Sequence, residues 1–278
     1  MQKTVRWWMG SSVVAILIAG VAYFAHQHQR APEPSASFPT SASVTLKGNA
    51  VQGAVLRSTD SEGRSVKLKI QAVERDSKDP QGEIYLYTVV YQNNLNPQWQ
   101  NLCQPDRDHR VTAIPLSGQW DSSGNHMDNE RMTFACTNSA LAKCVRWGYK
   151  PWKTVQGQSL RDYHQACSRM VRADYCGTGF AHTRDGTEID IYDRLRIQKR
   201  TPHSGMKFEA AWSPDGAVAI SRTRFPETLA LVKRDCPERL KYVQGKAKSS
   251  NLLSSLEHDA PKALIFNDSF VKVSQASK

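Results

Sequence analysis

The sequence predicts an α+β protein: an antiparallel β-rich scaffold with a disulfide-braced helical hairpin, preceded by one N-terminal transmembrane helix. Segments in which apolar and polar residues alternate predict the strands, and two segments of helical periodicity between them predict the hairpin. The even number of cysteines, six, predicts the disulfides. The chain of 278 residues is long enough for a large core. Its 40% hydrophobic and 23% charged residues exclude both wholesale disorder and a protein with many membrane spans.

Residues 1–29 are predicted to be an N-terminal membrane anchor or signal segment. Residues 7–25 are nearly free of charge and reach the roughly 20 residues that a membrane-spanning helix needs. Because Lys3 and Arg6 precede this stretch, the positive-inside rule places the N-terminus in the cytoplasm and the rest of the chain outside. An uncleaved anchor in the inner membrane, with the ectodomain in the periplasm or extracellular, is favoured because a clean A-x-A cleavage site is absent near Ala25. Secretion after signal cleavage is the alternative.

The next two regions are a tether and a β-rich region. Residues 30–43 are rich in Pro, Ser and Ala, a composition that does not repay the entropy of ordering, and are predicted to be a flexible tether. Residues 44–133 contain β-branched and aromatic residues in period-two patterns at 65–73, 83–91 and 111–120, separated by turn residues. We therefore expect a half-buried antiparallel sheet here.

Residues 134–240 are predicted to hold the helical hairpin and the C-terminal strands. Asn138 or Ser139 can cap the first helix, and Ser159 can cap the second, which carries apolar residues at helical spacing and is expected to stop at Gly177. Alternating segments after Gly177 predict a return to strands. Residues 241–278 are predicted to be a polar tail with one strand pair.

The six cysteines are predicted to form three disulfides, because an ectodomain outside the membrane lies in an oxidising compartment. Cysteines eight or nine residues apart on one helix are about 12 Å apart, beyond the roughly 7 Å between Cα atoms that a disulfide spans. Facing positions of an antiparallel hairpin have a nearly constant sum of residue numbers. This arithmetic predicts the following pairs: Cys144–Cys167, Cys136–Cys176 and, by remainder, Cys103–Cys236.

The run ADYC at residues 173–176 resembles the signature of the ADYC-domain family of bacterial extracytoplasmic proteins. RMVR precedes it, glycine follows it, KCVRWGYKPW lies upstream and HTRDGTEIDIYD lies downstream. The resemblance covers roughly residues 103–240, and the β-rich stretch from Val44 resembles what commonly precedes that core. It implies a cysteine-rich module of the bacterial envelope or a secreted module, and it implies no activity, substrate or cofactor.

The formal net charge of +11 raises nucleic acid, anionic lipid or an acidic envelope polymer as partners. The basic residues are spread along the chain, and no nucleic-acid-binding module is recognisable, so we expect no nucleic-acid partner. A solvated basic surface is the favoured interpretation. The predicted partners are the membrane, through the N-terminal helix, and an envelope protein or polymer.

The densest aromatic cluster follows the first predicted helix and contains Trp147, Tyr149 and Trp152. Flat rings stack on sugars and anchor protein interfaces, so this cluster is the candidate binding surface. Buried packing over the hairpin turn would produce the same pattern, and the sequence leaves both interpretations open.

Catalytic and metal-binding interpretations are weaker. The acidic strip at 182–193 fits the solvent face of a strand, so neither a metal nor a cofactor is expected. His164, Asp174 and His182 could form a His/Asp constellation, but no known nucleophile or metal motif accompanies them. The sequence therefore favours a non-catalytic binding or structural protein of the bacterial envelope, with no assigned catalytic residue. The alternative is an envelope hydrolase that uses His164, Asp174 and His182.

Overall fold

A computed structural model of the chain describes residues 36–38, 48–59, 64–201, 203–241 and 258–270. Its first half is a seven-stranded antiparallel sheet in the order β1-β7-β6-β4-β3-β2, with β5 paired to β4. These strands are β1 (Ala36–Phe38), β2 (Val55–Thr59), β3 (Ser65–Arg75), β4 (Tyr85–Asn93), β5 (Gln100–Asn101), β6 (Thr112–Trp120) and β7 (His126–Cys136). The 3-10 helix Gly48–Val51 precedes β2.

The alternating patterns at 65–73, 83–91 and 111–120 are confirmed as β3, β4 and β6. Strand β7 was not predicted, because its first residues are mostly exposed and polar and give no period-two apolar signal. It nevertheless forms a long hairpin with β6, whose turn lies at residues 121–125.

Two helices follow the sheet, as predicted. Helix α1 (Ala140–Arg146) begins at Ser139, whose side chain accepts a hydrogen bond from the backbone N–H of Ala142. The chain then forms the two-residue strands β8 (Thr154–Val155) and β9 (Gln158–Ser159).

Helix α2 (Leu160–Arg172) begins at the predicted cap, Ser159. Its predicted stop at Gly177 is wrong. The helix ends at Arg172 because Ala173 takes a left-handed conformation with φ of 52° and its N–H bonds back to the last turn.

The second half contains a four-stranded antiparallel sheet in the order β10-β13-β11-β12. Its strands are β10 (Ile189–Asp193), β11 (Met206–Ser213), β12 (Gly216–Ile220) and β13 (Ile265–Phe270), and helix α3 (Thr228–Asp235) and the 3-10 helix Pro237–Arg239 lie between β12 and β13 in the chain.

Strand β13 confirms in part the strand pair that was predicted for residues 241–278. The described part of this segment contributes one strand, and that strand lies between β10 and β11 inside the second sheet. Its residues Asn267, Asp268 and Ser269 are all buried, so their polar character does not mark an exposed tail.

The core is divided among the two sheets and the helices. Leu141, Ala142 and Val145 of α1 pack on one face of the first sheet, while a second apolar cluster, which contains Leu68 and Val89, covers its other face. The largest cluster joins α2 to the second sheet and includes Met170 of the helix and residues of β11 and β12.

All six cysteines form disulfides, and one predicted pair, Cys144–Cys167, is confirmed. The other two predicted pairs are wrong: the structure joins Cys103 to Cys136 and Cys176 to Cys236. The constant sum of residue numbers gave the wrong partners because Cys136 does not lie on a helix. It ends strand β7, and α1 begins four residues later.

No helix in the described ranges is long and apolar enough to cross a membrane. The predicted anchor at 1–29 and most of the predicted tether lie outside the described residues. Residues 36–38 of the tether depart from the prediction of a flexible segment, because they form strand β1, which pairs with β7.

Candidate functional site

The three aromatic residues of the predicted binding surface have different environments. Tyr149 is fully buried, donates a hydrogen bond to Asp193 Oδ2 at 3.0 Å and stacks on Tyr163. Burial and the neighbouring Asp193 carboxyl raise the pKa of the Tyr149 hydroxyl well above its usual value. Trp147 is partly buried against the largest core cluster, whereas Trp152 is 50% exposed. The packing interpretation therefore holds for Tyr149, and of the three residues only Trp152 exposes half of its surface to solvent.

A buried lysine fixes the segment that carries Trp152. The Lys150 ammonium is 3% exposed and donates hydrogen bonds to Asp79 Oδ1, Gln81 Oε1 and Glu83 Oε2 at 2.8–2.9 Å. Burial would raise the pKa of Asp79, but the Lys150 ammonium and backbone N–H groups hold it below its ordinary value. Because a buried charge must be paired to persist, these bonds hold the turn after α1 against the β3–β4 loop.

Trp152 forms one wall of a cleft of about 100 Å³, which we call the aromatic cleft. The hairpin β6–β7 supplies a second wall, and the first two turns of α2 supply the third. Its lining consists of Ser117, Trp120, His126, Pro151, Trp152, Arg161, His164 and Gln165.

Hydrogen bonds hold Trp120 in the cleft wall. Its indole N–H donates to Gln165 Oε1 at 2.9 Å, and the Gln165 amide donates to the Gly124 carbonyl at 2.6 Å. The His126 ring packs on Trp120 with 4.6 Å between ring centroids, and its Nε2 lies 3.0 Å from the Ser117 carbonyl oxygen. The polar edges of these rings are thus bonded within the protein, so the wall is preorganised.

His164 lies beneath Trp120 and is 1% exposed. Its Nε2 lies 3.0 Å from the Leu141 carbonyl oxygen, so a ring that carries its proton on Nε2 donates to α1. Burial lowers the pKa of His164 to about 4, which keeps the ring neutral at physiological pH.

The open side of the cleft carries a charged pair. Arg161 Nη1 lies 2.6 Å from Asp128 Oδ2, and their side chains are 46% and 64% exposed. An exposed pair of this kind contributes little stability and can exchange partners. The cleft therefore combines fixed aromatic walls with an adaptable cation at its rim.

The ADYC run forms a buried corner at the other end of α2, which we call the ADYC corner (residues 173–177 and the side chains bonded to them). Ala173 ends the helix, and the Asp174 carboxylate accepts hydrogen bonds from Arg169 Nη1 at 2.5 Å and from the backbone N–H groups of Thr178 and Gly179. Arg169 also bonds the carbonyl oxygens of Ser123 and Pro214, which lie in the turns after β6 and β11. Asp174 and Arg169 thereby tie α2 to both sheets.

Tyr175 reaches a buried ion pair in the second sheet. Its hydroxyl donates to Glu209 Oε1 at 3.0 Å and accepts from the Arg224 backbone N–H at 2.7 Å. Glu209 and Arg224 are 0% and 2% exposed, and Ser269 of β13 donates to the same carboxylate. Burial would raise the pKa of Glu209, but the Arg224 guanidinium holds it below its ordinary value.

Cys176 and Gly177 complete the corner. Cys176 is bonded to Cys236 next to the 3-10 helix, and Gly177 has φ of 72°. A Cβ at Gly177 would lie 2.0 Å from the Asp215 carbonyl oxygen, so no side chain fits. The whole run therefore has a structural account in the packing of α2 against the second sheet.

Of the three residues of the hydrolase alternative, Asp174 and His182 both lie at the ADYC corner, and His164 lies apart from them. His164 is buried at the aromatic cleft, while Asp174 is bonded to Arg169 in the ADYC corner. His182 packs against Phe180 and Tyr175, and burial lowers its pKa against the opposing effect of Asp174. Within the described ranges, moreover, no group of three or more His, Cys, Asp or Glu is arranged to hold a metal ion.

Most of the residues that line the cleft were not predicted from the sequence. Trp120, His126, Arg161 and Gln165 are distant in sequence from Trp152. The sequence feature that could have indicated the cleft wall was Trp120 at the end of a predicted strand. Trp120 lies two residues after Gly118, where a bulge shifts the register of β6 against β7.

A family model described as the ADYC domain matches residues 48–226. The match begins in the 3-10 helix before β2 and ends before α3, so it includes the aromatic cleft and the ADYC run but neither Cys236 nor β13. No curated protein and no solved structure matches the chain.

Proposed function

The chain belongs to the ADYC domain family, and from that premise we propose that it is a membrane-anchored, non-catalytic binding module of the bacterial cell envelope. Its N-terminal segment holds it in the inner membrane, and the folded part faces the periplasm or the exterior. The aromatic cleft takes an apolar side chain of an envelope protein.

Three disulfides support the location, because such bonds persist in oxidising compartments and are rare in the cytosol. The uncharged stretch at 7–25 with its preceding lysine and arginine supports the anchor and its direction. A test is acid quenching of intact cells followed by alkylation of the denatured chain without reductant. We expect no cysteine to be labelled, and labelling of all six would contradict the location.

The half-exposed Trp152 beside a preorganised cleft is the observation that carries the binding function. A cavity of about 100 Å³ has the size of one apolar side chain, not of a whole substrate. Buried aromatic pockets of this kind accept the anchor residues that dominate protein interfaces. Arg161 at the rim can exchange Asp128 for a carboxylate of the partner.

The experiment is affinity capture from envelope extract with the full chain and two variants. Trp152→Ala removes the exposed wall of the cleft. Phe180→Ala is the matched control, because Phe180 is 58% exposed but does not line the cleft. We expect Trp152→Ala to lose a partner that the wild-type chain and Phe180→Ala both retain. Equal capture by all three proteins would rule out the cleft as the binding site.

A further inference from the structure

The first sheet has one face that is covered at one end and open at the other. Leu86, Thr88, Val90 and Gln92 lie on this face of β4, because alternate residues of a strand share a face. Helix α1 packs over Leu86, whereas Gln92 and Val90, which is 8% exposed, are not part of the cluster that packs against the helix. The part of this face that the helix leaves uncovered, which we call the open face, lies on β2, β3, β4 and β5.

The strand registers define two rows of side chains across the open face. Residues that pair directly across strands share a face and lie about 5 Å apart. The first row contains Val55, Lys69, Val90 and Asn101, and the second contains Arg57, Lys67 and Gln92.

The three cations of these rows differ from the buried basic residues of the fold. Lys150, Arg169 and Arg224 are buried and bonded to carboxylates. Among the described residues, by contrast, no carboxylate forms an ion pair with Arg57, Lys67 or Lys69. Like charges on adjacent strands repel each other, so this arrangement costs stability unless an anion neutralises it.

A groove lies at one edge of the open face. It holds about 280 Å³ and is lined by Lys69, Gln71, Val90, Trp99 and Asn101. Trp99 is 42% exposed and lies two residues before Asn101, so one indole ring stands beside two amides and an ammonium. Gln71 is an extra residue in β3, because the register with β4 shifts between Ile70 and Ala72.

We propose that the open face binds an acidic oligosaccharide. The apolar face of a sugar ring stacks on Trp99, its hydroxyl groups bond the amides of Gln71 and Asn101, and its carboxylates are neutralised by Lys67, Lys69 and Arg57. The groove favours a sugar over an anionic lipid surface, because a planar membrane needs no concavity lined with amides. This site is separate from the aromatic cleft and does not depend on the function proposed above.

The experiment is calorimetric titration of the full chain, in mild detergent, with tetragalacturonate. Maltotetraose supplies the same number of rings without charge, and tetraglutamate supplies carboxylates without rings. We expect tetragalacturonate to bind and its affinity to fall as salt rises, because the charges are exposed and screened. We expect neither of the other two compounds to bind measurably.

Two variants and a control locate the site. Lys67→Gln/Lys69→Gln is expected to weaken binding of tetragalacturonate about tenfold, the equivalent of roughly 1.4 kcal/mol. Trp99→Ala is expected to weaken it about fivefold through loss of stacking. Lys207→Gln/Lys233→Gln removes the same charge from exposed positions elsewhere and is expected to leave the affinity unchanged.

The proposal would be overturned by absence of tetragalacturonate binding, by equal binding of maltotetraose or of tetraglutamate, or by an equal loss in the Lys207→Gln/Lys233→Gln control. Binding of short-chain phosphatidylglycerol in place of the sugar would assign the open face to the membrane surface and would also reject it. None of these results bears on the capture experiment with Trp152→Ala, so the two proposals fail separately.

Discussion

The two ends of helix α2 lie in different surroundings. At its C-terminal end, the ADYC corner places Asp174 and Tyr175 in the interior, each 1% exposed or less and each bonded to charged groups. At its N-terminal end, the aromatic cleft has bonded inner walls but opens to solvent at Trp152 and Arg161. Both ends are rich in aromatic and charged residues, so composition does not distinguish them.

This difference indicates that the family signature marks structural residues in this fold. The ADYC run joins the helix to both sheets, and every polar group described for it is used internally. A ligand could reach Asp174 or Tyr175 only if this packing opened. The cleft, in contrast, has a preorganised wall and a solvent-exposed rim, which is what binding requires. Substitutions at the corner should therefore change stability, and substitutions at the cleft should change binding.

Trp212→Ala should have the largest effect on stability. Trp212 is fully buried, packs on Tyr175 at 5.3 Å between centroids and donates its indole N–H to Asn267 Oδ1 at 2.8 Å. The variant leaves a cavity and removes the hydrogen bond to the amide oxygen of Asn267. We therefore expect the free energy of unfolding to fall by an amount near the upper end of about 3–5 kcal/mol. Urea titration of the purified chain measures this change. Trp212→Phe should lower the free energy of unfolding less, because the phenyl ring keeps most of the packing.

Glu209→Ala should have the next largest effect. It leaves the Arg224 guanidinium buried without its carboxylate, for which we expect a loss of about 3 kcal/mol or more in the same titration. Glu227→Ala is the matched control, because it breaks the Arg184–Glu227 pair, whose side chains are 62% and 58% exposed. The control should change stability little. Similar small losses in both variants would contradict the role assigned to the corner.

The sequence was sufficient for elements with local signals. Ser139 and Ser159 marked both helix starts, and alternation located β3, β4 and β6. The Glu209–Arg224 pair has no local signal, because its partners lie on β11 and beyond β12 and meet only when the second sheet forms. The position of strand β13 inside the second sheet was not predictable for a related reason: the sequence predicted strands in residues 241–278, but the pairing of β13 with β10 and β11 depends on residues that are distant in the chain.

The candidate site was less predictable than the fold. The sequence identified Trp152, but the other walls of the cleft come from the β6–β7 hairpin and from α2, and their approach depends on the packing of helix against sheet. The wrong disulfide pairs have the same origin. Cys136 was placed on a helical arm, whereas the polar strand β7 positions it beside Cys103.

Acidification should reveal the state of His164 at the floor of the cleft. Its pKa in the folded protein is about 4, below the ordinary 6.5, so the unfolded chain takes up the proton first as pH falls. Stability from the neutral ring is complete above pH 6.5 and is lost as pH falls toward 4. When the pH falls from 7 to 4.5, we expect this group to lower the free energy of unfolding by about 2 kcal/mol.

The test of this prediction compares the wild-type chain with His164→Gln in urea titrations at both pH values. The glutamine does not titrate, so the variant should lose less stability on acidification than the wild-type chain. The same loss in both proteins would show that His164 is solvated and free to take up protons, as a catalytic base would be.

Trp152→Ala should have the smallest effect on stability and still abolish partner capture. Half of the ring is already exposed, and the segment is held by Lys150 and not by the indole, so we expect the free energy of unfolding to change by less than about 0.5 kcal/mol. Urea titration beside Trp212→Ala gives the direct contrast between one buried and one exposed tryptophan. A loss for Trp152→Ala comparable with that for Trp212→Ala would make the cleft part of the core, and loss of capture in that variant would then report unfolding and not a binding site.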